Sequence, residues 1–167
     1  MALTLNLRKE IDAPLERVFA VMTDLERASE WMPNLVGIEP LTPGKLAVGS
    51  RWRETRKMFG KAATEEFEVT GLTLNRSLEL YIDGAKGSSK CGEYRFKYEL
   101  APMNGRTLVT LTGEIGGGNR FWRFIGRLFI GMFKKALMKD LLAMKQYLEV
   151  GRRSAPSTAA APVTPKP

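Results

Sequence analysis

The sequence predicts an α+β fold, a seven-stranded curved antiparallel sheet gripping one long C-terminal helix, with two short helices between the first and second strands. Three observations predict it. Residues 3–11 alternate strictly between apolar and polar side chains. Six more strand signals follow, separated only by short turn motifs. A proline-free helical pattern then fills residues 120–149. Short connections favour antiparallel neighbours, because parallel pairs need long crossovers. A sheet with one apolar face needs a cover, and the last helix is the only large one in the chain.

In the first strand, Leu3, Leu5, Leu7 and Ile11 share one face, with Thr4, Asn6, Arg8 and Glu10 on the other. Asp12-Ala13-Pro14 ends it; Asp12 suits a helix cap and Pro14 a first helical turn. Residues 14–23 place Leu15, Val18, Phe19 and Met22 on one helical face. A second short helix over 24–31 is expected to stop at Trp31-Met32, because Pro33 disfavours helix in the residue before it. Strands are expected near 35–41, 50–59, 62–71, 77–83, 91–100 and 106–115. Pro43-Gly44, Gly60-Lys61, Asn75-Arg76, 84–89 and Asn104-Gly105 separate them. Gly116-Gly117-Gly118 closes the last strand and Asn119 suits a cap for the long helix. This glycine run lacks the Lys-Ser/Thr and the βαβ setting of a phosphate-binding loop. The folded domain is expected over 1–150. The Ser/Thr/Ala/Pro-dominated stretch 151–167 has little to bury and is expected to be a disordered tail.

Composition narrows the function. The chain has no histidine, which removes the commonest general base, the commonest metal ligand and the usual catalytic triads. Its carboxylates are not joined by histidine or paired cysteines, so neither a metal nor a cofactor is expected. Cys91, the single cysteine, reads as a sheet residue and fits a reducing cytosol. The first residues carry no signal-peptide pattern, and a cytoplasmic location is expected. The net charge is +8, and residues 1–119 hold equal numbers of acids and bases, so the whole excess lies on the last helix and the tail. A neutral sheet offers no platform for nucleic acid, so none is expected as a partner.

The layout carries a resemblance. The first strand runs into Ile11-Asp12-Ala13-Pro14, Val18-Phe19 follow in the first helix, then Thr23-Asp24 and Trp31, and Gly49-Ser50-Arg51-Trp52 opens the third strand. With the long terminal helix, this resembles the START-like superfamily over about residues 1–150, in particular its polyketide cyclase/dehydrase and lipid-transport members. The resemblance implies a helix-grip cavity between sheet and last helix that holds a hydrophobic molecule. It does not imply a reaction, because the superfamily shares no single catalytic set.

Within that frame, Gly60-Lys61 taken as a two-residue hairpin turn sets Arg56 opposite Glu65, Glu54 opposite Phe67 and Trp52 opposite Val69. The face holding Trp52, Met58, Ala63, Phe67 and Val69 is the apolar one, so Glu54, Arg56 and Glu65 are expected to point inward. Two acids with one arginine leave a surplus negative charge, which can raise one acid's pKa. The trio reads as a recognition site for a polar ligand end, with Glu54 or Glu65 as acid/base, or as a structural ion pair.

Tyr94, Phe96 and Tyr98 share one strand face, as do Leu78, Leu80 and Ile82 in the strand before. Two inward tyrosine hydroxyls need partners, which favours a ligand-lined or hydrated pocket over a dry core. The ligand-facing set expected is Trp31, Trp52, Arg56, Phe67, Ile82, Tyr94, Phe96 and Tyr98, joined by Phe129, Met132 and Phe133 from the last helix. That helix has an aromatic first half interrupted by Gly126 and Gly131, and a narrow basic ridge of Arg120, Arg123, Arg127, Lys134 and Lys145. Three readings stand: a cavity lid, a peripheral segment on an anionic membrane surface, or a core helix with a solvated charged face. The functions in play are binding or carriage of a hydrophobic molecule, a cyclase- or dehydrase-type enzyme on the same scaffold, and an anionic-membrane module.

Overall fold

The computed structural model describes residues 3–58, 60–88, 92–116 and 120–153, without the side chains of 58, 120–129 and 151–153. Cys91, the cap at Gly117, Gly118 and Asn119, the Phe129 side chain and the tail beyond 153 lie outside the described residues. Seven strands form one antiparallel sheet: β1 (Leu3–Ile11), β2 (Leu35–Pro40), β3 (Arg51–Met58), β4 (Lys61–Thr73), β5 (Ser77–Asp83), β6 (Glu93–Met103) and β7 (Arg106–Gly116), in the order β1-β7-β6-β5-β4-β3-β2. Helix α1 (Leu15–Thr23) and a 3-10 turn, Ala28–Glu30, lie between β1 and β2, and α2 (Arg120–Arg153) covers the sheet. The helix-grip fold expected from the sequence is therefore present.

Four details differ from expectation. The second short helix is only the 3-10 turn. Pro14, not Asp12, is the N-cap of α1, and the cap makes no side-chain hydrogen bond. The Asp12 backbone N–H instead donates to Glu149 Oε1 at 2.9 Å, tying the end of β1 to α2. Helix α2 runs to Arg153, past the expected end at 149.

The fourth difference is the register of the β3–β4 hairpin. Met58 pairs with Lys61, so the turn closes one residue earlier than expected, with Gly60 directly before β4 at a φ of 79°. Glycine takes that left-handed conformation without a Cβ clash. The pairing is thus two residues off the expectation: Arg56 faces Ala63, Glu54 faces Glu65 and Trp52 faces Phe67. A slip of two preserves the strand faces. Glu54 and Arg56 keep their inward face while every cross-strand partner changes.

The core follows the alternation. Leu5 and Ile11 of β1, Val109 and Leu111 of β7, and Leu78 and Leu80 of β5 are buried on one face. Gly113 lets β7 sink between its neighbours, since a Cβ there would stand 2.8 Å from Leu5 Cγ and 2.9 Å from Phe96 Cε1. From α2, Leu141, Met144 and Leu148 are buried at helical spacing. Each such side chain contributes roughly 1.5–3 kcal/mol. The helix is therefore anchored by its second half. The 3-10 turn is tied to α2 by Arg27, Glu30 and Tyr147: Arg27 Nη2 donates to the Tyr147 hydroxyl at 3.0 Å, and that hydroxyl donates to Glu30. Bonding to Arg27, then to Tyr147, holds the Glu30 carboxyl down at about 2.

Candidate functional site

Between β3–β6, the α1–β2 connection and the second half of α2 lies a cavity lined by apolar and aromatic side chains, among them Met22, Leu25, Leu46, Leu78, Leu80 and Leu141. It leaves about 70 Å³ of room for the centres of water-sized molecules, several times the minimum for one water, ~10–15 Å³. The aromatic wall follows from the observed register. Trp52 and Phe67 are cross-strand partners, and their rings stack at 5.2 Å with 10° between planes. Trp31 adds a second indole and Tyr98 a phenol. The indole N–H groups of Trp31 and Trp52 are buried with no hydrogen-bond partner among the described residues. A buried donor left unmatched costs about 1–3 kcal/mol.

One end of the cavity is ionic. Glu54 and Arg56, two residues apart on β3, both point inward, as alternation requires. Arg56 Nε donates to Glu54 Oε1, and Arg56 Nη1 donates to Asp140 Oδ2 at 2.7 Å. Arg56 Nη2 approaches Met32 Sδ at 2.8 Å. Glu54 is 4% exposed, Asp140 17% and Arg56 25%. The sheet and α2 are thus bridged through one guanidinium. Burial opposes the charge on Arg56, but Glu54 and Asp140 outweigh it and hold the guanidinium above its ordinary range. Burial pushes the Asp140 carboxyl up, against the pull of Arg56. Burial, with Asp140 and Glu54 nearby, pushes the Tyr98 hydroxyl far above the usual phenol range, so it stays a donor.

Of the residues expected to face a ligand, the structure brings Trp31, Trp52, Arg56, Phe67 and Tyr98 together around this cavity, with Glu54 beside them. Ile82 and Phe96 are core residues outside its lining. Tyr94 stacks on Phe133 at 5.8 Å, forming a separate, half-buried sheet–helix contact, and Met132 is half-buried nearby on α2. Glu65 does not pair with Arg56. Its carboxylate lies against the β5–β6 loop, where a Cβ on Gly87 would meet Glu65 Oε2 at 1.8 Å. Glu54 and Glu65 are direct cross-strand partners, and like charges so placed repel. Their carboxylates diverge accordingly, one to Arg56 and one to the loop.

Asp140 is the functional candidate that the sequence reading missed. A signal was present: it is the only acid between 120 and 148, and it sits in the stripe of Leu137, Leu141 and Met144, where a helix hides its side chains. A second, open groove lies between β1 and α2, lined by the apolar Leu7, Met138 and Leu142 and by Lys134, Lys135 and Lys139. Among the described residues no group of three or more potential ligands could hold a metal ion, and no helix is long and apolar enough to cross a membrane.

Known structures share this architecture. The Zhui aromatase/cyclase from Streptomyces superposes with a TM-score of 0.77 at 16% identity, covering 93% of this chain and 99% of that one. A major latex-like protein from Panax ginseng gives 0.74 at 13% identity, covering 89% and 98%. A START superfamily protein from Mycobacterium smegmatis gives 0.70 at 15% identity, covering 88% and 97%. At such identities the likeness establishes the fold alone. No curated protein matches the sequence significantly. The family model for polyketide cyclase / dehydrase and lipid transport matches residues 2–149. With the helix-grip fold and its cavity in place, the chain belongs to the polyketide cyclase/dehydrase and lipid transport family.

Proposed function

We propose that the protein binds or carries a hydrophobic small molecule, lipid- or polyketide-like, in the cavity between sheet and α2, with the ligand's polar end toward the Glu54–Arg56–Asp140 group. The observation that carries this reading is the Glu54–Arg56–Asp140 group set in an apolar, aromatic-lined cavity. Buried ion groups are weak devices for stability, and hydrophobic replacements often hold a fold as well or better. Recognition of a polar group accounts for one placed here. Met22, Met32 and Met144 line the same cavity, and methionine repacks readily around incoming shapes. Native mass spectrometry of the purified protein tests the reading. A non-covalent apolar adduct, released by organic solvent, is expected. A bare protein that also takes up no environment-sensitive hydrophobic dye sinks it.

A second reading, acid/base catalysis on the same ligand class, is favoured by one observation. The carboxyl of Asp140 is raised beside a Tyr98 hydroxyl that stays protonated. Neighbouring groups with separated pKa values are what proton transfer uses. In this reading Asp140 is the leading acid/base, Glu54 is its neighbour through Arg56, and Glu65 stands outside the lining.

A further inference from the structure

We infer that the polar end of this cavity selects uncharged ligands over anionic ones, and that Asp140 sets the selectivity. The inference rests on the binding reading above and names the ligand class within it. An arginine in a hydrophobic cavity suggests at first a seat for a carboxylate. The geometry here argues the reverse. Arg56 directs Nε to Glu54, Nη1 to Asp140 at 2.7 Å and Nη2 to Met32 Sδ at 2.8 Å. One positive charge meets two carboxylates, so the ionised group carries a net −1. Arg56 is the only cation in the cavity lining among the described residues. Lys139, next to Asp140 in the chain, is exposed and lines the groove between β1 and α2 instead.

A ligand carboxylate would add a second uncompensated negative charge to this confined space. For unit charges about 5 Å apart at an effective dielectric near 20, the repulsion corresponds to a loss of affinity of roughly 250-fold. The donors on the cavity wall, the Tyr98 hydroxyl and the indole N–H groups of Trp31 and Trp52, suit any oxygen acceptor. Charge therefore decides among acceptors. The class selected is a neutral hydrophobic molecule with a carbonyl or hydroxyl oxygen, not a fatty-acid-like anion.

The test compares naphthol with naphthoate, two rings of matched size, by isothermal titration calorimetry at neutral pH on the full chain and on Asp140→Asn. The wild type is expected to bind naphthol at least tenfold more tightly, and Asp140→Asn to close the gap by about tenfold, mainly by gaining naphthoate. If Asp140→Asn does not fold, Glu54→Gln removes the same charge from the sheet side and must narrow the gap likewise. Equal wild-type affinities, a preference for naphthoate, or a gap unchanged in a folded variant overturns the inference and leaves the binding reading intact. Failure of both probes to bind any of the proteins overturns the binding reading and this inference together.

Discussion

Replacing Arg56 with methionine leaves Glu54 and Asp140 side by side with no cation between them. Glu54 is 4% exposed and Asp140 17%, so neither carboxylate regains full hydration. Removing one partner from a buried ion group costs about 3–5 kcal/mol. Arg56 is itself 25% exposed, and Asp140, already raised by burial, can relieve part of the strain by taking up a proton. The expected loss at neutral pH is therefore about 2–4 kcal/mol, read by urea denaturation. It corresponds to a fall in Tm of roughly 5–15 °C for a domain of this size. The pH dependence is diagnostic. Without Arg56 the Asp140 carboxyl, raised by burial, loses the cation that pulled it down, so the folded state binds more protons there and the deficit shrinks as pH falls. In the double variant Arg56→Met/Asp140→Asn the repulsion is gone, and the cycle should show coupling of about 1 kcal/mol or more. Stability within about 0.5 kcal/mol of wild type at neutral pH, or a deficit that grows on acidification, would refute Arg56 as the hub of the cavity.

Two further predictions concern the frame and the site. Gly113→Ala drives a methyl into Leu5 and Phe96 at under 3.0 Å, an overpacking expected to cost about 1–3 kcal/mol in urea denaturation; unchanged stability would mean that β1 and β6 part freely around β7. The Asp140 carboxyl is raised by burial despite Arg56, with Glu54, Tyr98 and Lys139 as its other charged or titratable neighbours. Its ionisation thus weakens the fold as pH rises from the ordinary aspartate value through the raised one. Subtracting an Asp140→Asn pH–stability profile from the wild type should show that decline, and a difference that rises with pH in the same window contradicts it.

Sequence alone determined the strand and helix order, because alternation with a period of two and a long helical period are local signals carried by side chains close together in the chain. It also determined which face of β3 turns inward: Trp52, Glu54 and Arg56 share a parity that survives any even slip of register. Partnership was not local. A turn placed one position earlier, with Lys61 paired in β4 and not in the turn, moved every cross-strand pair by two and took Glu65 from Arg56. The partner that Arg56 does find, Asp140, is 84 residues away on α2. Its place in an apolar helical stripe marked it as inward, but nothing in the stripe says which strand the helix will cross. Only the docking of Leu141, Met144 and Leu148 on the sheet brings that carboxylate to the guanidinium. Glu54 and Arg56 were thus legible from β3 as inward neighbours, while the third member of the group, Asp140 and not Glu65, was decided by tertiary packing.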